Sequence, residues 1–97
     1  MGLYLMKLTS DSLLQDGDTF SLDACAGFTI INAGDTDAKI GYVGEALDID
    51  IPAGEQYSFP ASSGYAFEGQ MEVRFSITGR GLIKVFKYVA KLNEQIL

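Results

Sequence analysis

Carboxylates are the residues of this chain that could carry acid–base chemistry, because the 97-residue sequence contains no histidine and one cysteine. Asp48 and Asp50 would share one face of a strand, and a carboxylate pair facing a cleft can serve as general acid and general base. Acids that alternate with Leu47, Ile49 and Ile51 are, however, the usual way to make the solvent side of a strand. We therefore interpret the pair as solvent-facing and expect no enzyme.

Loop aspartates are the other candidates for chemistry, since carboxylate oxygens are calcium ligands. Two predicted loops hold Asp16, Asp18, Asp35 and Asp37. Neither loop has the glycine and glutamate spacing of a calcium loop, and the sequence offers too few His and Cys ligands for a transition metal. We expect no metal or other cofactor, with calcium held between two loops as the open alternative. Cys25 is predicted to be a small core residue, because no histidine could activate its thiol.

Tyrosines could provide stacking surfaces for a sugar. The chain has Tyr4, Tyr42, Tyr57, Tyr65 and Tyr88 but no tryptophan, the best stacking side chain. Tyr42 and Tyr57 fall on predicted inward faces. Carbohydrate recognition or adhesion is therefore the alternative function rather than the first.

The elements that would position these residues start from residues 71–89, which carry the clearest pattern. Strict alternation predicts a half-buried strand, and its apolar face holds Met71, Val73, Phe75 and Ile77. Gly79 and Gly81 around Arg80 suit a tight reversal. We expect a hairpin here, with Val73, Phe75 and Ile77 buried against Ile30, Ile49 and Phe59.

The predicted return strand is apolar on both faces. One face holds Ile83, Val85 and Val89 with Lys87, and the other holds Leu82, Phe86 and Tyr88 with Lys84. Two explanations stay open: a bulge near Lys84 changes the parity, or one face meets the core and the other meets a partner chain.

Seven or eight short strands separated by turn signals predict the fold class. We expect an all-β domain over residues 1–90, a single antiparallel β-sandwich of jelly-roll or immunoglobulin-like type. Residues 20–30 alternate as one long bent strand or as two strands joined at residues 24–27. Residues 91–97 are predicted to form a short helical or extended tail that could dock on a partner.

Charge is unevenly distributed along the chain. Residues 1–72 carry two bases and twelve acids, a net charge of −10, whereas residues 73–97 carry five bases and one acid, a net charge of +4. An acidic chain is a poor match for nucleic acid, so none is expected as a partner. The sequence shows no signal peptide or membrane-spanning stretch, which predicts a protein folded in a cytoplasm without a membrane partner.

Residues 28–59 resemble a pattern of small virion structural proteins of bacteriophages. The matching features are an apolar strand that ends at Asn32-Ala33-Gly34, a short strand, and the turn Ile51-Pro52-Ala53-Gly54-Glu55 leading into an aromatic strand. The resemblance implies a head decoration, vertex or connector protein that is assembled into the virion in the host cytoplasm. It assigns no functional residue.

These observations together predict a non-enzymatic structural or assembly protein. Its expected partners are copies of itself, as a homo-oligomer, and other virion proteins such as capsid or connector proteins. The return strand is expected to border an acidic surface of a partner. The interface residues predicted from apolar and basic character are Leu3, Tyr4, Leu5, Lys84, Phe86, Lys87, Tyr88, Leu92 and Ile96.

Overall fold

Seven β-strands make up the part of the chain that the computed structural model describes, residues 3–60 and 66–93, and no helix occurs there. The strands are β1 (Leu3–Leu13), β2 (Thr19–Asn32), β3 (Ala38–Tyr42), β4 (Ile49–Ile51), β5 (Gln56–Pro60), β6 (Phe67–Phe75) and β7 (Ile83–Asn93). Every pairing between them is antiparallel. The all-β, antiparallel part of the prediction is confirmed.

All seven strands belong to one hydrogen-bonded sheet, so the two separate sheets of the predicted sandwich are not confirmed. The strand order is β1-β7-β2-β6-β3-β4, and β5 also pairs with β2. β5 and β6 follow each other along one edge of β2, because Gly27 faces Pro60 and Cys25 faces Phe67. β7 lies on the opposite edge of β2.

The expected hairpin of residues 71–89 is wrong, because β2 lies between β6 and β7. The connection between the two strands instead crosses the end of β2. It is held there by the loop that follows β2, since Ala33 N donates to Leu82 O and Asp35 N donates to Arg80 O. Gly81 lies against the Phe75 ring, and a Cβ at that position would overlap it.

β2 must bend sharply, because otherwise the short segment after Leu13 could not reach Thr19, the first residue of β2. Leu13 faces Ile83, which faces Asn32, so Leu13 and Asn32 lie two strand spacings apart, about 10 Å. Thr19 follows Leu13 by six residues, which span at most about 20 Å. A straight strand would place Thr19 about 43 Å from Asn32. Since the chain can reach only about 30 Å, the sheet folds over within β2.

Two bulges supply this bend. The register of β2 shifts between Leu22 and Cys25 and again between Cys25 and Gly27. Ala24 adopts φ 49°, a left-handed conformation that favours a strand bulge. The bulges turn Cys25 into the core, where its Sγ donates to Gly27 O at 3.0 Å. The predicted core position of Cys25 and the single bent strand are confirmed, whereas Ala24, predicted in phase with the buried residues, is exposed.

The bend divides the sheet into two halves. The first half-sheet comprises β1, β7, β5 and residues 27–32 of β2, and the second comprises residues 19–25 of β2 with β6, β3 and β4. Their buried apolar side chains form one cluster: Leu13, Phe20, Leu22, Cys25, Phe28, Ile30, Ala38, Ile40, Ile51, Met71, Val73, Phe75, Ile83 and Val85.

The core prediction holds for all but one residue. Val73, Phe75 and Ile30 are buried, and Ile49 and Phe59 pack on the cluster half-buried. Ile77 is wrong, with 53% of its surface exposed. β6 ends at Phe75, and the backbone beyond it turns away, with Ile77 N donating to Thr36 Oγ1 at 3.0 Å.

Asn32 is buried and makes three side-chain hydrogen bonds, one of which joins β2 to β4 of the second half-sheet. Its Nδ2 donates to Thr36 O and to Ile51 O, both at 2.8 Å, and its Oδ1 accepts from Gly34 N at 3.1 Å. The Asn-x-Gly and Pro-Ala-Gly-Glu features of the resemblance meet here, because Gly54 N donates to Asn32 O. In this chain, these two turns therefore maintain the fold.

Candidate functional site

The loop aspartates serve as hydrogen-bond acceptors for the fold. Asp18 Oδ2 accepts from Leu14 N at 2.8 Å and from Gln15 N at 2.9 Å. These backbone donors stabilise the charged form and hold the pKa of the Asp18 carboxyl below its usual 3.8. Asp16 closes the same loop onto β6, with its Oδ1 accepting from Phe75 N at 2.7 Å.

In the second pair of loop aspartates, Asp35 forms an exposed ion pair and Asp37 accepts a backbone hydrogen bond. Asp35 lies 3.6 Å from the Arg80 guanidinium, and Asp37 Oδ1 accepts from Ala53 N at 3.0 Å. Within residues 3–60 and 66–93, no three acidic or thiol side chains are grouped so that they could hold a metal ion.

Asp48 and Asp50 do not come together at a cleft. Asp50 borders a depression of about 140 Å³ beside Asp37, but its carboxylate lies 3.5 Å from Lys39 Nζ. Asp48 is exposed and does not line this depression.

The outer face of the first half-sheet, which points away from the core, is the strongest candidate for a functional surface. Cross-strand partners in the sheet share a face, and the registers define three rows of side chains. The rows are Leu8, Tyr88, Gly27 and Pro60; Ser10, Phe86, Thr29 and Ser58; and Ser12, Lys84, Ile31 and Gln56.

Five apolar side chains lie on this face among serine, threonine, lysine and glutamine side chains. Leu8 is 59% exposed and Tyr88 is 44% exposed, while Phe86 and Ile31 are half-buried. Together with Pro60 they form what we term the apolar outer face. Neighbouring exposed apolar side chains rimmed by polar residues are a feature of sites that contact another molecule.

A depression of about 300 Å³ interrupts the apolar outer face at Gly27. The Tyr88 ring and Pro60 form part of its lining, and hydroxyl groups contribute polar atoms, with Thr29 Oγ1 lying 2.9 Å from Ser58 Oγ. The lining is therefore mainly apolar with a few hydrogen-bonding groups, as in small-ligand sites.

The structure separates the predicted interface residues. Phe86, Tyr88 and Lys84 lie on the outer face of the first half-sheet. The register shows no bulge at Lys84, so the first explanation of the two-sided strand is wrong, and a partner chain on the outer face stays a prediction. Lys87 points to the core side, where its side chain is 14% exposed. Its Nζ donates to Ser21 O at 2.9 Å and lies 2.7 Å from Asp11 Oδ2.

The remaining predicted residues lie towards the far end of the ladder between β1 and β7 or beyond it. β1 and β7 pair beyond Val89, the last β7 residue that pairs with β2, and this extension includes Leu3, Tyr4, Leu5 and Leu92. β7 therefore contains residues 91–93 of the predicted tail. Ile96 lies outside the described residues.

Three members of the face were not identified from the sequence: Leu8, Ile31 and Pro60. Leu8 ends the short apolar run of residues 3–8, whose weak alternation did not show which residues point inward. A signal existed, because Leu8 alternates with Ser10 and Ser12 while Leu13 has the opposite phase. Ile31 and Pro60 come into the rows only through pairing with distant strands.

The outer face of the second half-sheet is polar. Its register brings together Thr19, Glu72, Arg74, Lys39 and Asp50. Gln70 Nε2 donates to Thr19 Oγ1 at 3.0 Å on the same surface. Charged and hydroxyl side chains of this kind are well solvated and require no partner.

No family model matches this chain, and no curated protein matches it either. Over the described residues, the structure has no helix of the length and apolar character needed to cross a membrane.

Proposed function

We propose that this chain is a non-enzymatic structural or assembly protein of a phage-like virion. It docks through the apolar outer face onto copies of itself and onto capsid or connector proteins. The observation that carries the proposal is the exposure of Leu8 and Tyr88 beside half-buried Phe86 and Ile31 on one sheet face. Burial of such a surface is favourable in water, whereas leaving it exposed promotes unspecific association.

The composition of the face supports a protein partner. Interface centres are rich in aromatic residues and poor in acids, and this face has Phe86 and Tyr88 at its centre. Lys84 lies on it and is exposed. An acidic partner surface would complement Lys84 and set orientation and association rate more than affinity.

The finer fold prediction is part of the same proposal. We take the folded-over sheet as a sandwich-like roll, in which the two half-sheets enclose one core. The bend in β2 and the single buried cluster support this. The virion location, with assembly in the host cytoplasm, rests on the resemblance of residues 28–59.

Particle association of an outer-face variant tests the proposal. The wild-type chain should co-sediment with purified particles from cells that produce it, and Leu8→Ser/Tyr88→Ser should remain in the unsedimented fraction. The matched control is Val43→Ser/Ile77→Ser, which removes two apolar side chains of similar exposure (47% and 53%) outside the face. Circular dichroism should show that both variants are folded. Equal co-sedimentation of the two variants would contradict the proposal, as would absence of the wild-type chain from particles.

Carbohydrate recognition is the second candidate, and the depression at Gly27 is the observation that favours it. Tyr88 offers a ring face and Thr29 and Ser58 offer hydroxyls beside it. A sugar would stack on the ring and exchange hydrogen bonds with the hydroxyls.

Titration calorimetry with a panel of free mono- and disaccharides tests this candidate. Saturable binding that Tyr88→Ala abolishes and Leu8→Ser preserves would favour sugar recognition, because Leu8 lies outside the depression. No heat with any sugar, together with particle association of the wild-type chain, would favour docking.

A further inference from the structure

β1 forms one edge of the sheet and is unusually long for that position. It pairs with β7 over all eleven residues, and none of the described residues pairs with its other edge. Edge strands present unpaired N–H and C=O groups to any neighbouring strand, and monomeric proteins keep such edges short or obstructed. A strand of twice the usual length therefore offers a template for pairing with another chain.

Antiparallel pairing of β1 with β1 of a second copy would be closed by a two-fold axis. Residue i then faces residue j of the other copy, with i + j constant. Only an even constant keeps each outer face on one side of the joined sheet, since side chains alternate along a strand. The possible registers are therefore those in which one residue faces itself.

Charge selects among these registers. Lys7 and Asp11 are the charged residues of β1. Both have odd numbers, so they share the core-side face with Thr9. A two-fold axis at Thr9 places Lys7 opposite Asp11 of the second copy, and the reverse pair follows by symmetry. An axis at Lys7 or at Asp11 would bring like charges together.

Asp11 already contacts Lys87, and it can accept Lys7 of the second copy as a second cation. Its Oδ2 is buried against Lys87 Nζ, yet the side chain as a whole is 40% exposed, which leaves Oδ1 accessible. Oδ2 has no aligned hydrogen bond within the described residues, so its contact with Lys87 is one of charge attraction. Lys7 is exposed and forms no ion pair with any described residue.

We propose that two copies of this chain pair antiparallel through β1 with Thr9 on the two-fold axis, so that Lys7 and Asp11 form two ion pairs between the copies. This proposal goes beyond the proposed function, because it gives two copies a contact and a register at the β1 edge, separate from docking through the apolar outer face. Pairing makes one continuous face from the two apolar outer faces, because Leu8 of each copy lies opposite Ser10 of the other. The dimer therefore presents two copies of the apolar outer face side by side to the particle.

Disulfide trapping tests the register. At a facing antiparallel pair the Cβ atoms are about 4.5–5.5 Å apart, near the ~3.5–4.5 Å that a disulfide spans. Thr9→Cys should therefore form a covalent dimer under mild oxidation. Leu8→Cys and Ser10→Cys are the matched controls, because each faces its own copy only in a register shifted by two. Native Cys25 is buried and should give no dimer in the wild-type chain.

Charge reversal tests the ion pairs. Lys7→Glu sets like charges opposite each other twice and should raise the dimer dissociation constant by at least about tenfold, measured by sedimentation equilibrium. Arg74→Glu makes the same change in net charge on the polar face of the second half-sheet and should leave the constant unchanged.

The outcomes separate this proposal from the proposed function. A covalent dimer with Leu8→Cys or Ser10→Cys but not with Thr9→Cys would overturn the register. A wild-type chain that stays monomeric at all concentrations would overturn the β1 dimer. In either case, loss of particle association in Leu8→Ser/Tyr88→Ser alone would still support docking. If Thr9→Cys forms the disulfide but the wild-type chain does not associate with particles, the dimer is supported and the proposed function is contradicted.

Discussion

The two half-sheets share a core but differ in what they present outward. The outer face of the second is built from Glu72, Arg74 and Lys39 and their hydroxyl and acidic neighbours, whereas the first presents Leu8 and Tyr88. Both follow the same alternation of inward and outward residues, and both are backed by the same buried cluster. Stability of the domain alone would be satisfied by a polar surface on each. The apolar character of one face is the feature on which the proposed docking rests.

Replacing Phe28 should have the largest effect on stability, because its ring connects the two half-sheets. It stacks on Phe59 at 4.9 Å in the first and contacts the edge of Phe67 at 5.0 Å in the second. Phe28→Ala should cost about 3–5 kcal/mol, measured by urea unfolding. If the half-sheets share one core, circular dichroism and tyrosine fluorescence should change together. Two separate transitions would show that the faces belong to independent units.

Replacing Asn32 should weaken the contact between the half-sheets at the C-terminal end of β2. Asn32→Ala leaves the buried carbonyls of Thr36 and Ile51 without their donor and should cost about 2–3 kcal/mol. Asn32→Asp is the matched variant, since it retains the acceptor for Gly34 N but replaces the donor with a charge. It should be at least as destabilising, because buried carbonyls would face a carboxylate. A thermal midpoint unchanged in both variants would contradict the role of this residue as a connection.

Two lysines of β7 lie on opposite faces of the sheet, Lys87 on the inner face and Lys84 on the outer face. Lys87→Met removes the partner of a partly buried Asp11 and should cost about 2 kcal/mol. Lys84→Met changes an exposed residue of the apolar outer face and should alter stability by less than about 0.5 kcal/mol. Lys84→Met should instead slow association with particles at low salt. Equal stability losses would mean that the two faces of β7 have been assigned wrongly.

The smallest effect on stability is expected at Asp18, which lies in the loop between β1 and β2. Because its folded pKa is lowered, its charge stabilises the folded state above the usual 3.8, and this contribution is lost as pH falls through the folded value. Asp18→Asn lacks that ionisation. The difference in thermal midpoint between wild type and Asp18→Asn should therefore narrow as pH is lowered from 6 to about 2. A difference that stays constant over this range would contradict the assigned role of the carboxylate.

Local pattern predicted the strands better than their neighbours. Alternation identified the buried face of β6 correctly as far as Phe75, whereas for β7 it found two apolar faces and left open which one is buried. It could not reveal that β2 lies between them, because Gly79-Arg80-Gly81 has the composition of a hairpin turn whichever strand follows. The positions of the β2 bulges were also hidden, since Ala24 and Ala26 continue the apolar alternation by type while the backbone there changes phase.

The candidate face was predictable only in part for the same reason. The two apolar faces of β7 pointed to Phe86 and Tyr88, but Leu8 and Ile31 join them through pairings between distant parts of the chain. Lys87 was misread as a candidate for a partner, because its internal counter-ion, Asp11, is 76 residues away in sequence. Periodicity carries no information about such separations.

The pairing of β1 with β7 also has a consequence for the order of folding. Leu3 faces Asn93 across this ladder, so the first described strand pairs with the last. The chain between β1 and β7 is a long loop that is slow to close, so we expect this ladder to form late. During synthesis β1 must remain unpaired until β7 has emerged, with its whole length open to capture by other strands or by chaperones. Slow translation of the C-terminal third should therefore increase aggregation of this chain, unless a second copy or a chaperone covers β1 first.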